Sequence, residues 1–185
     1  MISAIGRLGE LMGESGREPT SVNWAEAVER LGVQLPADFR ELVERYGRVQ
    51  YFGDLVVGAP SLRPGVPDGE RFDGLYEFNK DIGEMLEVWY GWVPEFGRPY
   101  EPFPAKGGLL AWGSNTTCDY FCWDTSADDP SQWPVVVWRF GISEMNYFDG
   151  GMADFLAAVL TGEFPDAEEL IDRSMSPEMW RSLSP

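Results

Sequence analysis

The spacing of apolar residues alternates along the chain between the period of a helix and that of a strand, and this pattern restricts the fold more than any other feature of the sequence. One helix face early in the chain carries Phe39, Leu42, Val43 and Tyr46. After Gly47 the apolar residues come in short runs rich in β-branched and aromatic types, which are typical of strands. Helical spacing returns over residues 75–89, within the run of strands, and again over about residues 151–161. Helices on both sides of hairpin-connected strands predict an α+β fold, with helices packed against an antiparallel central sheet.

Local signals set the ends of several helices. Asn23 precedes Trp24 and has Glu26 three residues on, a capping box for a helix that ends near Gly32. Further helices are predicted over residues 2–12, 75–89 and 151–161. Asp149 is the predicted N-cap of the last of these.

The strand segments are short and separated by turns. We predict strands at YFGDLVV, LLAWG, CDYFCWD, PVVVWRF and NYFD. Alternation along CDYFCWD places Asp119, Phe121 and Trp123 on one face, and Cys118, Tyr120 and Cys122 on the other. In the acidic tail from Glu163 we expect one more docked helix.

Length and cysteine content indicate a single reduced domain. The chain of 185 residues has no internal repeat and no long linker, so we predict one domain over residues 1–185. No apolar stretch approaches the roughly 20 residues of a membrane-spanning helix. The N-terminus also lacks a secretory pattern, so we expect a cytosolic protein without a membrane partner. Cys118 and Cys122 would lie about 13 Å apart in an extended segment, too far for a disulfide.

Charge is the most informative bulk property. The net charge is −17, and residues 51–185 hold twenty-three acidic against eight basic residues, whereas residues 1–50 hold eight against six. Such a field repels phosphate backbones, so we expect no nucleic-acid partner. It would attract a basic protein and speed its association. The alternative is that the acidity only aids solubility.

The sequence contains no histidine, which removes the commonest catalytic and metal-binding arrangements. Ser-His-Asp and Cys-His catalysis and the H-E-x-x-H zinc site all need imidazole, and no glycine-rich nucleotide motif occurs. Carboxylates such as Asp124 and Asp128 remain, and a pair of these can perform glycoside hydrolysis. Carboxylates in loops are far more often solvated. We therefore predict a protein that is not an enzyme and holds no cofactor and no metal.

Aromatic residues are expected in two roles. The tryptophans predicted to lie in the core are Trp24, Trp112, Trp123 and Trp138. A second group, predicted to lie in the proline-rich loop WVPEFGRPYEPFPAKGG, consists of Trp92, Phe96, Tyr100 and Phe103. Part of this loop is expected to pack on the sheet, and an exposed remainder ringed by acids would form a binding hot spot.

Several segments occur together in the order that one known family shows. They are NWAEAVERLG, LPADFRELVERYG, YFGDLVV, GGLLAWGSNTTCDYFCWDTS, WPVVVWRF and NYFDGGMADFLAAVLTGEF. Over residues 22–164 the chain resembles the SUKH superfamily, the bacterial relatives of fungal cell-wall regulators of the Smi/Knr type. The N-terminal helix and the C-terminal tail are extensions to this pattern.

The resemblance implies an α+β fold, no catalytic site and a role in immunity. Bacterial members typically bind and neutralise toxins of polymorphic or contact-dependent systems, many of them nucleases. The positions that match the family motifs, which we interpret as fold-forming, are Leu35, Pro36, Tyr46, Gly47, Gly113, Asp119 and Trp123. For Asp119 two roles stay open, since it either holds a turn or faces the binding surface.

We predict that the partner is a basic toxin domain and that two kinds of residue contact it. Trp92 and Tyr100 are the predicted aromatic anchors. The predicted acidic contacts are Asp68, Glu70, Asp73, Glu77, Asp81, Glu84, Asp119, Asp124, Asp128 and Asp129. Two alternatives remain: a regulatory scaffold that binds endogenous enzymes, as in the fungal relatives, and a glycan-binding or glycosidase-like protein.

Overall fold

A computed structural model of the chain describes residues 3–16, 18–19, 21–60, 74–92, 94 and 97–183. Within these residues the helices are α1 (Gly6–Met12), α2 (Trp24–Leu31), α3 (Ala37–Tyr46), α4 (Leu75–Trp92), α5 (Met152–Thr161) and α6 (Ala167–Leu170). The strands are β1 (Val49–Tyr51), β2 (Leu55–Val57), β3 (Leu109–Ser114), β4 (Tyr120–Asp124), β5 (Val135–Arg139), β6 (Glu144–Phe148) and β7 (Trp180–Ser182).

The strands of the described residues form one sheet in the order β6-β5-β4-β3-β2-β1-β7. Every neighbouring pair is antiparallel. Strands β1 to β6 lie beside their neighbours in sequence, as sequential connections favour. Strand β7 is different, because it returns from the tail to pair with β1 and places Arg181 opposite Gln50. The predicted α+β fold with an antiparallel sheet is confirmed.

Helices cover both faces of the sheet, and strand β4 shows how the two faces differ. Phe121 and Trp123 belong to the larger apolar cluster, which includes α3 and α5, and we call this side the α5 face. Tyr120 and Cys122 belong to a second cluster beneath α4, and we call that side the α4 face. The alternation predicted for CDYFCWD is therefore correct for residues 120–123, whereas Cys118, with a φ of 64°, and Asp119 precede the strand. Because both faces are buried, the strand is apolar on both sides.

Two glycines bring the end of β2 and the start of α4 into close contact. A Cβ on Gly58 would lie 2.6 Å from the backbone nitrogen of Leu75. A Cβ on Gly74 would lie 2.6 Å from the Cα of Gly58, and the φ of Gly74 is +76°. The start of α4 is thereby fixed against the end of β2, since only glycine allows backbones to approach this closely.

The segment YFGDLVV, predicted as one strand, is a hairpin of β1 and β2. Phe52 and Gly53 form the turn with φ values of 50° and 78°. The N–H of Asp54 donates to the carbonyl oxygen of Tyr51 at 2.9 Å. Two positive φ values are typical of a type I′ turn, but Phe-Gly lacks the Asn-Gly or Asp-Gly signal of such turns. The prediction of a single strand is wrong for this reason.

The N-terminus of α5 is capped by a residue of another helix. Its N-cap position is Gly151, without a side-chain hydrogen bond of its own. Instead, Oδ2 of Asp38, in α3, accepts a hydrogen bond from the N–H of Ala153 at 3.0 Å. Burial raises the pKa of the Asp38 carboxyl above its ordinary value, although the N–H donors oppose this. The predicted cap at Asp149 is wrong, because a tertiary contact takes its place.

The tail contributes both a short helix and a strand, where the sequence predicted one helix. Helix α6 follows α5, and β7 then extends the sheet beside β1. The indole Nε1 of Trp180 donates to the carbonyl oxygen of Met12 at 3.0 Å. The end of α1 and the start of β7 are therefore in direct contact.

Three of the four tryptophans predicted to lie in the core are fully buried. These are Trp112, Trp123 and Trp138. Trp24 is half-buried instead, and its Nε1 donates to Oε1 of Glu44 at 2.6 Å. It packs on the edge of the α5-face core, with its ring 6.3 Å from that of Phe39.

Candidate functional site

Helix α4 has a buried side and an outer side. The buried side places Ile82, Leu86 and Trp89 against the sheet. A repeat of 3.6 residues per turn then brings a different set of residues to the opposite side. This outer row consists of Glu77, Asp81, Glu84, Val88 and Trp92. It gathers three of the predicted acidic contacts and one predicted anchor on a single surface.

The acids of the outer row differ in whether they bind other parts of the described chain. Oε2 of Glu77 accepts a hydrogen bond from the N–H of Gly74 at 2.8 Å, so this residue serves the start of α4. Asp81 and Glu84 are exposed, and neither makes a hydrogen bond or ion pair with any described residue. Beside the row, Glu87 is bound by Arg98 at 2.8 Å. The uncommitted carboxylates of α4 are therefore those of Asp81 and Glu84.

The outer row ends in an exposed indole. Trp92 is 71% exposed, and its ring lies 6.4 Å from the ring of Phe140. The sequence predicted it to lie in the loop, but Trp92 is the last residue of α4. The helix continues past residue 89 because Tyr90 also packs into the α4-face core. Val88, one turn earlier in the row, is exposed too. Exposed side chains of this size mark interaction surfaces when they lie together.

Tyr100, the other predicted anchor, is half-buried and holds the loop against α4. Its hydroxyl donates to Oδ2 of Asp124 at 3.1 Å, and its carbonyl oxygen accepts from the Tyr90 hydroxyl at 2.5 Å. Its ring lies 6.5 Å from that of Tyr147 in β6. Burial, with the nearby Asp124 carboxylate, raises the pKa of the Tyr100 hydroxyl. Oδ1 of Asp124 accepts from the N–H of Ser126 at 2.9 Å, so both oxygens of this carboxylate bind donors of the protein itself.

Asp128 and Asp129 lie in the loop between β4 and β5, apart from the outer row. Oδ1 of Asp129 accepts from the N–H of Ser131 at 2.9 Å and caps a short 3-10 turn. Asp128 is exposed, without a partner in the described part of the chain. It borders an open cleft of about 360 Å³ lined in part by Phe103 and Trp133. This loop forms a second, smaller acidic surface.

Asp119 lies within a turn and away from the surface. It is 5% exposed, and its Oδ2 accepts from Asn115 Nδ2 and Thr117 Oγ1, each at 3.1 Å. Its N–H donates to Oδ1 of Asn115 at 2.8 Å. Of the two roles left open by the sequence, the structure supports the turn-holding one. The predicted contact between Asp119 and a partner has no support in this position.

Asp54, in the YFGD segment, is a second buried carboxylate with a similar task. Its Oδ1 accepts from the N–H and the hydroxyl of Thr116, at 2.9 and 2.6 Å. Its Oδ2 accepts from the N–H of Asp172 at 2.8 Å. One carboxylate thereby ties the β1–β2 turn to the β3–β4 turn and to the tail.

Some contact residues predicted from the sequence lie outside the described residues, and other exposed residues were not predicted. Asp68, Glu70 and Asp73 lie outside the described residues. Val88 was missed, although extending the helical spacing of Glu77, Asp81 and Glu84 by one turn would have found it. Tyr147 was missed as well. Its exposure depends on the position of β6 at the sheet edge, which no local signal reveals.

No group of three or more Cys, Asp or Glu side chains among the described residues is placed to hold a metal ion. Cys118 and Cys122 are both free, as predicted, and burial raises the pKa of the Cys122 thiol. A thiol in such surroundings is unreactive. Across the part of the chain that the structure covers, no helix is both long and apolar enough to cross a bilayer.

Comparison with known proteins identifies one family. A family model described as SMI1-KNR4 cell-wall (SUKH_6) matches residues 22–156, more than half of the chain. The match begins just before α2 and ends within α5, so α1, α6 and β7 lie outside it. No curated protein and no solved structure matches the chain.

Proposed function

The chain belongs to the SMI1-KNR4 cell-wall family of the SUKH superfamily, and we propose that it is an immunity protein that binds and neutralises a cognate toxin. The partner is a toxin domain with a basic surface, of the nuclease type. Binding takes place in the cytosol of the producing cell. The protein acts by covering the active site of the toxin or by blocking the path of its substrate, and not by catalysis.

The outer row of α4 is the observation that supports this proposal most directly. Asp81 and Glu84 make no hydrogen bond or ion pair with the described residues, and exposed Val88 and Trp92 continue their row. Free carboxylates attract a basic surface and raise the association rate. A large indole in the same row can enter an apolar pocket and slow dissociation. The row thus combines the two properties that a tight complex with a basic protein needs.

The same row suggests how neutralisation occurs. A nuclease-like toxin binds a polyanion, so its substrate groove is basic. Carboxylates spaced along one side of a helix can occupy such a groove in place of phosphates. The toxin then loses access to its substrate, although its catalytic residues stay intact.

Co-expression tests the proposal. The open reading frame next to this gene is induced in a sensitive strain with and without this chain, and growth is measured. We expect growth arrest without the chain, rescue with it, and a stoichiometric complex on size-exclusion chromatography. Equal killing in both strains, with no complex formed, contradicts the proposal.

A charge reversal tests the role of α4 itself. The double variant Asp81→Lys/Glu84→Lys is compared with Glu168→Lys/Glu178→Lys, which alters the net charge equally at exposed positions outside the family match. We expect the α4 variant to bind at least about tenfold more weakly, mostly through a slower association rate that salt no longer affects strongly. An equal loss in both variants means that net charge, and not this surface, attracts the partner.

A second candidate function has one observation in its favour. The description of the matching family refers to the cell wall, which favours a regulatory scaffold of the fungal cell-wall-regulator type. A scaffold of that kind would bind an endogenous enzyme through the same surface. A housekeeping locus without a toxin-like neighbour, and an endogenous enzyme in the complex, support this candidate instead.

A further inference from the structure

Strand β6 forms one end of the sheet, and its outer edge is open. In the order β6-β5-β4-β3-β2-β1-β7, β6 pairs with β5 on one side, and no strand among the described residues pairs with it on the other. Natural edge strands are usually protected by proline, lysine or a bulge. Strand β6, with the sequence EMNYF, contains neither proline nor lysine, and its register with β5 is unbroken over all five residues.

The hydrogen bonds of the sheet reveal which backbone groups of β6 face outward. The N–H of Asp124 donates to the carbonyl oxygen of Pro134, its opposite residue, at 3.1 Å. Bonded and non-bonded pairs alternate in an antiparallel ladder, so Val135, Val137 and Arg139 direct their backbone groups away from β4 and toward β6. Their opposite residues are Phe148, Asn146 and Glu144. The backbone N–H and C=O groups of Met145 and Tyr147 therefore point away from the sheet.

The side chains at this edge offer an apolar contact beside the open backbone. Tyr147 stands opposite Val136, so its side chain is on the α4 face, and it is 59% exposed. Ile142, just before the strand, is 51% exposed. The edge also adjoins the end of α4, since Trp89 Nε1 donates to Ser143 Oγ at 3.1 Å. A segment paired with β6 would thus lie close to the end of the outer row.

Charge indicates which kind of segment fits. Glu144 begins the strand and Asp149 follows it, and both are exposed. Arg139, opposite Glu144, is bound to Glu169 at 2.5 Å. Pairing of two copies through β6 would bring together two chains that each carry a net charge of −17, which disfavours self-association. An extended segment with basic residues has the complementary charge.

We propose that the open edge of β6 binds an extended, basic segment of the partner protein as an additional strand. This inference rests on the proposed function and adds the mode of recognition. The segment exchanges hydrogen bonds with the backbone of Met145 and Tyr147, while its basic side chains meet Glu144 and Asp149. Five paired residues correspond to roughly 17 Å of strand. Backbone pairing supplies affinity, and flanking side chains supply specificity.

A pair of variants at one position isolates the backbone contact. Tyr147→Pro removes both the side chain and the outward N–H, whereas Tyr147→Ala removes only the side chain. Proline is tolerated in an edge strand where the N–H faces solvent, so the β5–β6 pairing is retained. The probe is a ten-residue peptide of alternating lysine and valine, with the corresponding glutamate–valine peptide as the charge control. Circular dichroism and urea unfolding verify that both variants fold.

We expect Tyr147→Pro to bind the lysine–valine peptide at least about tenfold more weakly than Tyr147→Ala, and the glutamate–valine peptide not to bind. In the wild-type chain, NMR should show new exchange protection at the amides of Met145 and Tyr147 when the peptide binds. The amide of Asn146 should already be protected through β5. Equal peptide binding by the two variants, or no new protection at these amides, overturns the proposal.

The outcomes separate this proposal from the proposed function. A chain that rescues growth in the co-expression test, but binds the peptide equally in both variants, remains an immunity protein and loses the β6 mode. A dimer that Tyr147→Pro converts to a monomer in sedimentation velocity identifies a second copy as the occupant and likewise overturns the proposal.

Discussion

Carboxylates near α5 and α6 link segments of the fold by hydrogen bonds. Two carboxylates on the outer row of α4, those of Asp81 and Glu84, make no hydrogen bond or ion pair with the described chain. Asp38, Asp54 and Asp119 each accept hydrogen bonds from another segment or from within a buried turn. Asp81 and Glu84 are exposed and accept none from described residues. Both groups are side-chain carboxylates, so the amino-acid sequence alone does not distinguish them.

The difference teaches that acidic content alone does not locate a binding surface. A buried carboxylate with satisfied hydrogen bonds contributes to folding, and its field is already compensated by its donors. A carboxylate without a partner projects its field into solvent and is available to another molecule. Substitutions that separate stability from binding can therefore test the comparison.

The largest expected effect on stability comes from an aromatic residue of the α5-face core, Phe155, which is compared with the exposed Trp92 of α4. The ring of Phe155 in α5 lies between 5.2 and 6.1 Å from the rings of Phe164, Phe148, Phe121 and Trp112. Phe155→Ala should lower the free energy of unfolding by about 4 kcal/mol, because it leaves a cavity in the core. Trp92→Ala should change it by no more than about 0.5 kcal/mol, while weakening partner binding. Urea unfolding measures both free energies. A similar loss of stability in the two variants would contradict the distinction between the core and the outer row.

The next effect contrasts two aspartates. Asp54→Ala should lower the free energy of unfolding by about 3 kcal/mol, because it leaves the N–H groups of Thr116 and Asp172 without their acceptor. The matched variant Asp81→Ala should stay within about 0.5 kcal/mol of the wild type. Urea midpoints at constant ionic strength decide the outcome. A costly Asp81→Ala would show that the outer row also has a structural role.

The smallest effect concerns Asp38 and depends on pH. Loss of this cap in Asp38→Ala should cost about 1 kcal/mol. Since burial raises the pKa of Asp38, the folded state holds a proton over a range where the unfolded chain has lost it. Stability from this group is therefore present at low pH and falls as pH rises through that range.

Asp38→Asn keeps an acceptor for Ala153 but cannot ionise, which isolates the pH effect. As pH rises from about 4 to about 7, the stability of this variant relative to the wild type should increase. Urea unfolding at several pH values gives the two curves. Parallel curves would show that the ionised carboxylate is fully compensated by its N–H donors.

Local signals in the sequence predicted the elements that depend on neighbouring residues. The capping box of α2 forms as expected, since the N–H of Glu26 donates to Oδ1 of Asn23 at 3.2 Å. The alternation of β4 and the apolar stripe of α3 were also correct. In each case the determining contact spans only a few residues of sequence.

The features that were missed depend on contacts between distant segments. The cap of α5 comes from a residue 115 positions away, and β7 forms only because β1 offers it an edge. For the candidate site, the spacing of Glu77, Asp81 and Glu84 indicated one surface. That Asp119 is buried follows from its hydrogen bonds to Asn115 and Thr117, which acidic composition cannot reveal.

Helix α4 lies in the connection between β2 and β3, and this position determines which of its residues can vary among relatives. These two strands are adjacent in the sheet, so replacing the outward positions of α4 alters no strand pairing. The inward positions, such as Ile82 and Leu86, must stay apolar to cover the sheet. The inner positions of α4 are therefore fixed by the packing of the domain, and the outer positions can vary without disturbing it. Exchange of only the outer residues between family members therefore tests whether they determine the partner in the proposed complex.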